Sequence, residues 1–599
     1  MEGDYSRDTF DAIKHFSRVL MQQGRVQLDA DWNEQASIGL HYLRTLAADL
    51  IGPHGGPANE LGFEITAKDP ASPPTFADLL IGPGRYYVDG ILCENEGITE
   101  RVRSSGEGIA QEIIPVAEAT QVRERLPEII GNERLPISYF KQPDYPLDPE
   151  KNDDVRLPEA ALLVYLDVWE RDITYIEDDS IREVALGGPD TAARTKVVWQ
   201  VKITALEELV NSVDAEKVTC DSPVLAEVMR ALEDRLQPAN RGLMAARAQV
   251  PEDTDDANVC IVSPEASYRG AENQLYRVEI HRGGDAWDGH TEGDGTRATF
   301  KWSRDNGAVV FAIQSLSGRT VTLESLGRDD RFGLEVGDWV EVVDDDYVLL
   351  GKDEHLLRVE AIDRIDLRVT LSGAPKYGQA ASKHPLLRRW DQQAGDPAIG
   401  GLQLVSEGTA LVIGSDTAWL NLEDGVQVRF APGAKYRTGD YWLIPARTAT
   451  GDIVWPGPTN QRPALPPHGV EHHYAPLAVA LSEDGRGYRV KDLRHSVAPL
   501  GSCCPKIEIL NPPTWPKPAN DAAKPIPFKA RVSGRNTVLK YNWRIQGGII
   551  VKSRATDPSI LVAPAVDSTA VVAIVVIEGL AGDCPNSAMA ACALVQEPS

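Results

Sequence analysis

Seven cysteines among 599 residues leave no C-x-x-C pair, which removes zinc ribbons and thioredoxin-like redox motifs. They stand at 93, 220, 260, 503, 504, 584 and 592 and read as buried thiols. A bridge from Cys503 or Cys504 to Cys584 or Cys592 needs an oxidising medium. No run of about 18 apolar residues occurs, so no transmembrane helix and no membrane insertion are expected. The most apolar stretch, "TAVVAIVVIEGL" (569–580), is too short to span and reads as a buried strand. The opening "MEGDYSRDTF" lacks an apolar h-region, so no secretory signal is read and synthesis in the cytoplasm is expected. Basic residues are in deficit: 61 Lys and Arg against 89 Asp and Glu, a formal charge of −28. The arginines are interleaved with acids, so a phosphate backbone is repelled and nucleic acid is not an expected partner. There is no P-loop, no G-x-G-x-x-G after a strand, no G-x-S-x-G elbow and no short-period repeat.

What is there is ordinary globular material, 42% apolar and 25% charged, enough for several cores. Residues 8–23 carry Phe10, Ile13, Phe16 and Leu20 at helical spacing, with Gly24 as a stop, which predicts a first helix. "QQGRVQLDADWNEQ" (22–35) crowds four oxygen-bearing side chains into six positions, in the D-x-D-x-N order that opens a calcium loop. An EF-hand loop then needs Gly at its sixth position and a bidentate Glu at its twelfth; Glu34 and Leu40 stand there instead. Asp31 as N-cap and Glu34 as its capping-box partner explain the same letters as a helix start. The following helix places Trp32, Ala36, Leu40, Leu43, Ala47 and Leu50 on one face and stops at Gly52-Pro53.

Beyond residue 57 the texture is β. "LLIGPGRYYVDGILCEN", "AALLVYLDVWERDITYIED" and "TKVVWQVKITAL" read as strands, with a Pro-rich excursion (136–158) expected to be an exposed loop and a helix at 222–236 capped by Ser222 or Asp221. "QLYRVEIH" and "ATFKWSRDNGAVVFAI" are the clearest strand signals, and Asn306-Gly307 predicts a two-residue hairpin. Four short strands between 318 and 373 predict a small barrel or sandwich, and the stretch beyond Cys503 predicts a separate sandwich with Trp543 in its core. The expected architecture is mainly β and multidomain. Its segments are an N-terminal helical segment (1–57), a first β-rich domain (58–298), a small β-barrel or sandwich (299–380), a β-rich domain (381–500) and an immunoglobulin-like sandwich (501–599).

Candidate chemistry is thin. His468, Glu471 and His472 match H-x-x-E-H, an inverted zincin pattern, but Pro466, Pro467, Gly469 and Pro476 argue against the helix that would put both histidines on one face. "GGDAWDGHTEGDG" (283–295) is a weak cation candidate, and Asp344–Asp346 read as a polar turn. Tyr86, Tyr87, Tyr441, Trp442 and Trp455 could stack on sugars, although aromatics in β domains more often form core. No catalytic residue, metal or cofactor is predicted. The residues predicted to bind a partner are Trp32, Leu40, Leu43 and Leu50. They pack on another subunit, on a copy of the same chain, or on the chain's own first β domain, and the sequence leaves all three open.

Several long strings occur together: "SRDTFDAIKHFSRVLMQQGRVQLDADWNEQ", "YLDVWERDITYIED", "VALGGPDTAARTKVVWQVK", "FKWSRDNGAVV" and "YRTGDYWLIPARTATGDIVWP" followed by "PPHGVEHHYAPLA". Over roughly residues 1–500 the chain resembles an uncharacterised bacterial family whose members tend to be encoded with phage-tail-like contractile injection systems. "YNWRIQGG" and the strand pattern around it resemble PKD-type, immunoglobulin-like modules. The resemblance implies a structural role at the baseplate or its periphery, with other particle subunits as partners, assembly in the cytoplasm into a particle, and no catalytic residues. The alternative from a different class is a receptor- or glycan-binding adhesin.

Overall fold

The protein is described here by a computed structural model. It describes all residues except 1, 69–77, 106–107, 116–128, 131–133, 148–155, 187–189, 212, 221, 239–240, 250–267, 289–296, 328, 330, 459–460, 484–486, 499–506, 512–524, 533–538, 553, 566–567, 569, 579–586 and 596–599. The chain is mainly β, 43% strand against 15% helical, and divides into two compact units, residues 1–56 with 60–495, and residues 57–59 with 496–599.

In the first unit the long strand Ala161–Ile173 is central. It pairs antiparallel with Arg194–Ala205 on one side and with His473–Ser482 on the other. Period-2 alternation sends Leu162, Val164, Leu166 and Val168 into one core, shared with Phe63, Ile81, Tyr86 and Leu477. Leu163 and Tyr165 point the other way, onto the helix Pro223–Leu236. That helix is built as its letters require: the Ser222 hydroxyl accepts the Leu225 N–H and Pro223 occupies the first turn.

A second sheet forms from Gln274–Arg282, flanked by Thr299–Ser303 and Tyr441–Arg447. Its core holds Tyr276, Phe300, Trp302, Phe430 and Trp442. Strands from 400–500 thus complete sheets begun near residues 161 and 274, so the linear segments 58–298 and 381–500 share sheets. Strand order follows which apolar faces fit, not chain order.

The strands Val310–Ser317, Thr320–Leu323, Trp339–Val343, Leu357–Asp363, Arg368–Leu371 and Leu386–Trp390 close into a six-stranded barrel. Four of these lie in the run read as short strands; the outer two close the barrel and so remove its open edges. Asn306 and Gly307 both take positive φ, and the Ala308 N–H returns to the Asp305 carbonyl, as in a hairpin turn. The expected hairpin is nonetheless absent: Thr299–Ser303 stays in the second sheet while Val310–Ser317 enters the barrel. The turn is local, but pairing is decided by distant strands.

Two further expectations are corrected. Residues 136–158 are not simply an exposed loop: Ile137, Tyr139 and Leu157 belong to the first core, and the Gln142 side chain bonds the Val201 backbone. Asp344 caps a short helix, Asp345–Leu349, by accepting the Tyr347 N–H, where a plain polar turn was expected.

In the second unit, a four-stranded and a three-stranded antiparallel sheet share one core containing Phe528, Trp543, Ile560, Val562 and Val575. The apolar stretch at 569–580 is the strand Ala570–Glu578, with Val571, Ala573, Val575 and Ile577 buried. Trp543 is buried with its indole N–H donated to the Asp557 carbonyl. Cys503, Cys504, Cys584 and the prolines at 505, 512, 513 and 516 lie outside the described residues.

Candidate functional site

The second predicted helix exists as α1, Asp29–Ile51, but the first does not. Residues 8–23 contain only a 3-10 turn, Ala12–Lys14, after which His15 takes a left-handed φ of 54°. Ile13, Phe16 and Leu20 are exposed; without a core to pack on, so short an amphipathic segment does not hold a helix. The start of α1 also differs from the capping-box reading. Leu28 is the N-cap and makes no side-chain cap bond. Asp29 instead accepts the Ser6 amide at 2.7 Å and hydroxyl at 2.6 Å, and Glu34 accepts the Thr9 hydroxyl at 2.6 Å. Burial alone would raise the Asp29 carboxyl, but the hydrogen bonds from Ser6 and the Ala30 amide outweigh it and hold it below its ordinary value. The acids therefore bind the preceding segment to the helix start, and the helix dipole favours them there.

α1 sits on the first unit with an unusual orientation. Of its 23 residues only Ala30 and Ile38 are buried. Arg44 makes a two-pronged ion pair with Glu170, at 2.6 and 3.0 Å. The backbone at Arg44 lies against Gly90, whose φ of +79° and lack of a Cβ permit the approach. The four predicted partner residues face outward: Trp32 is 63% exposed, Leu40 43%, Leu43 67% and Leu50 56%. They do not pack on the chain's own first β domain. Tyr42 and Leu46 on α1, and Met21, Val26 and Leu28 before it, are exposed as well. Monomeric soluble proteins rarely leave large contiguous apolar patches uncovered.

Behind α1 lies a cleft of about 2360 Å³ whose walls include Arg44, Glu170, Trp169, Arg171, Lys301 and Glu341. A buried charge network seals one side of it. Glu341 accepts both Lys301 Nζ contacts at 2.8 Å, the Tyr347 hydroxyl at 2.6 Å and the Trp390 indole N–H at 2.9 Å. Lys301 also meets Glu279 at 3.3 Å and lies 4.4 Å from the Trp390 ring centroid. Arg277 donates to Glu279 at 2.6 Å and covers the Tyr441 ring at 3.7 Å. Burial would raise the Glu341 carboxyl, but Lys301, His281 and the hydrogen bonds overcome it and hold it at about 2. His281 is pushed down to about 4, first by burial and then by Lys301.

The N-terminal residues close this network: Glu2 pairs with Arg388 at 2.5 Å, and Gly3 exchanges hydrogen bonds with Asn306. The barrel contributes Glu341, Arg388 and Trp390, and the second sheet contributes Arg277, Glu279 and Lys301. The network thus ties those two parts together. Its sequence signal was a charge at alternate positions of otherwise apolar strands, "YRVEIH", "FKWS" and "WVEVV"; that the three meet is not written in any one of them.

His468, Glu471 and His472 do not converge. His468 bridges the Tyr441 backbone in an extended segment, and Glu471 is exposed. His472 donates from Nδ1 to Asp167 at 2.7 Å while stacking on Trp169. Lys202 holds the other Asp167 oxygen at 2.6 Å. Among the described residues no group of three or more His, Cys, Asp or Glu is arranged to hold a metal. The glycine loop candidate falls largely on 289–296, outside the described residues. Of the candidate sugar-stacking aromatics, Tyr86, Tyr441, Trp442 and Trp455 are buried. Among the described residues no helix is long and apolar enough to cross a membrane.

A family model, the family of unknown function DUF6519, matches residues 1–103, 143–221 and 205–542. The chain belongs to the DUF6519 family. The DUF6519 match includes α1, the sheets built on Ala161–Ile173 and Gln274–Arg282, and the barrel, and runs into the second unit. No curated protein and no solved structure matches.

Proposed function

We propose that this chain is a structural component of a contractile, phage-tail-like injection particle, at the baseplate or its periphery, and that α1 attaches it. The observation that carries the attachment is the outward apolar face of α1. A helix normally turns that face to its own core, and this one turns it away while an ion pair and a glycine contact hold its back. The likeness of the long strings around α1 and the strands to a family encoded with injection systems supplies the particle. On this reading the protein acts by burying apolar surface, about 1.5–3 kcal/mol for each large side chain fully covered, and carries no catalytic centre.

The test is co-expression with the neighbouring genes and purification of the particle. Replacing Trp32 and Leu50 by Glu is expected to leave the chain folded and to remove it from assemblies containing sheath, tube or baseplate subunits. Incorporation at the unaltered level would refute the attachment.

A further inference from the structure

We propose that α1 pairs with α1 of a second copy of this chain, antiparallel, about a two-fold axis at Leu43. This rests on the reading of α1 as the attachment surface and names its occupant.

Ala36, Leu40, Leu43 and Leu50, all exposed, and the half-buried Ala47 are separated by steps of four, three, four and three, the spacing of a helix-to-helix seam; Ala36 and Leu40 stand at its edge, beside the cleft. None of the five is charged. A two-fold axis at Leu43 sets Ala36 opposite Leu50, Leu40 opposite Leu46, Gly39 opposite Ala47, and Leu43 opposite its copy. Ala36 against Leu50 sets small against large, Gly39 against Ala47 sets two small residues together, and a two-fold pairing requires a patch that complements itself in this way. Gly39 supports the close approach. It sits in the helix interior, where glycine is unfavourable, and an added Cβ would meet nothing within 4 Å of this chain, so the chain's own packing does not call for it.

Charge selects the direction. Asp29, Asp31 and Glu34 crowd the helix start; a parallel pair would set six acids together, whereas an antiparallel pair separates the two clusters by most of the helix length and places the helix dipoles head to tail.

Single-cysteine variants of the full chain, oxidised mildly and run without reductant, test the geometry, with the unaltered chain as the control for Cys220. Leu43→Cys is expected to link to itself. Ala36→Cys and Leu50→Cys are expected to link only when mixed with each other, and light scattering of the unaltered chain to give twice the 65.4 kDa chain mass. Self-linking of Ala36→Cys as efficient as that of Leu43→Cys would overturn the antiparallel pair. So would a monomeric mass at every concentration. A monomer whose Leu43→Asp variant still drops out of the particle overturns self-pairing and leaves attachment standing; a monomer whose Leu43→Asp variant stays in the particle overturns both.

Discussion

Lys301 shows what a buried charge does in this fold. With Glu341 at 2.8 Å, Glu279 at 3.3 Å and its side chain 6% exposed, it neutralises the buried Glu341 and shares Glu279 with Arg277. Lys301→Met leaves Glu341 buried without its cation, while Glu279 keeps Arg277 at 2.6 Å, and the expected cost is about 3–5 kcal/mol, read as a fall in the denaturant midpoint. A second cluster works in the opposite sense. Glu423 lies 3.0 Å from Arg304, yet burial, aided by Asp391 and Asp424, outweighs that arginine and raises its carboxyl to about 7 from an ordinary 4.5. The folded state therefore holds a proton that the unfolded chain releases between those values. The ionised form is disfavoured in the fold, so its cost is absent below about pH 4.5 and complete above about pH 7. Glu423→Gln is expected to stabilise the protein at pH 8 and to make no difference at pH 4. An equal gain at both pH values would contradict this. Lys301, Glu279 and Glu341 were invisible as a group in the sequence, because each is a charge in an otherwise apolar strand and only the tertiary pairing brings them within 4 Å.

The elements that local chemistry dictates were legible. Ser222-Pro223 announces its helix, the turn residues between 318 and 373 announce the barrel strands, and the alternation in residues 161–173 announces a strand with two covered faces. The elements that depend on a distant partner were not. Phe10, Ile13, Phe16 and Leu20 have helical spacing, but only Phe10 finds a neighbour, the His41 ring at 5.8 Å, and they form no helix. Asn306-Gly307 makes the predicted turn between strands that pair elsewhere. α1 belongs to both classes: its existence follows from its letters, while its orientation depends on the Arg44–Glu170 pair and on Gly90. Gly90→Ala places a Cβ against the Arg44 backbone at a positive φ, so it is expected to lift α1. Faster amide exchange across residues 36–48 with the β strands unchanged is the measurement that checks it, and unchanged exchange in α1 would show that the glycine contact does not hold the helix.

At the scale of the molecule, chain order and spatial order diverge. His473–Ser482 completes a sheet begun more than 300 residues earlier, so the first unit folds from both ends of its sequence, and segment boundaries drawn along the chain could not show this. The sandwich at the C-terminal end was legible because it is continuous in sequence from about residue 496. The outward face of α1 was only half legible: the stripe could be read, its direction could not. That direction is the central claim, and a mass measurement on the chain with Leu40 and Leu43 both changed to Asp tests it most directly. The unaltered chain is expected to run in assemblies heavier than 65.4 kDa, and the variant as a folded monomer with an unchanged melting temperature. A variant whose assemblies keep the unaltered mass would contradict the account, because two buried aspartates cannot sit in an apolar contact without weakening it.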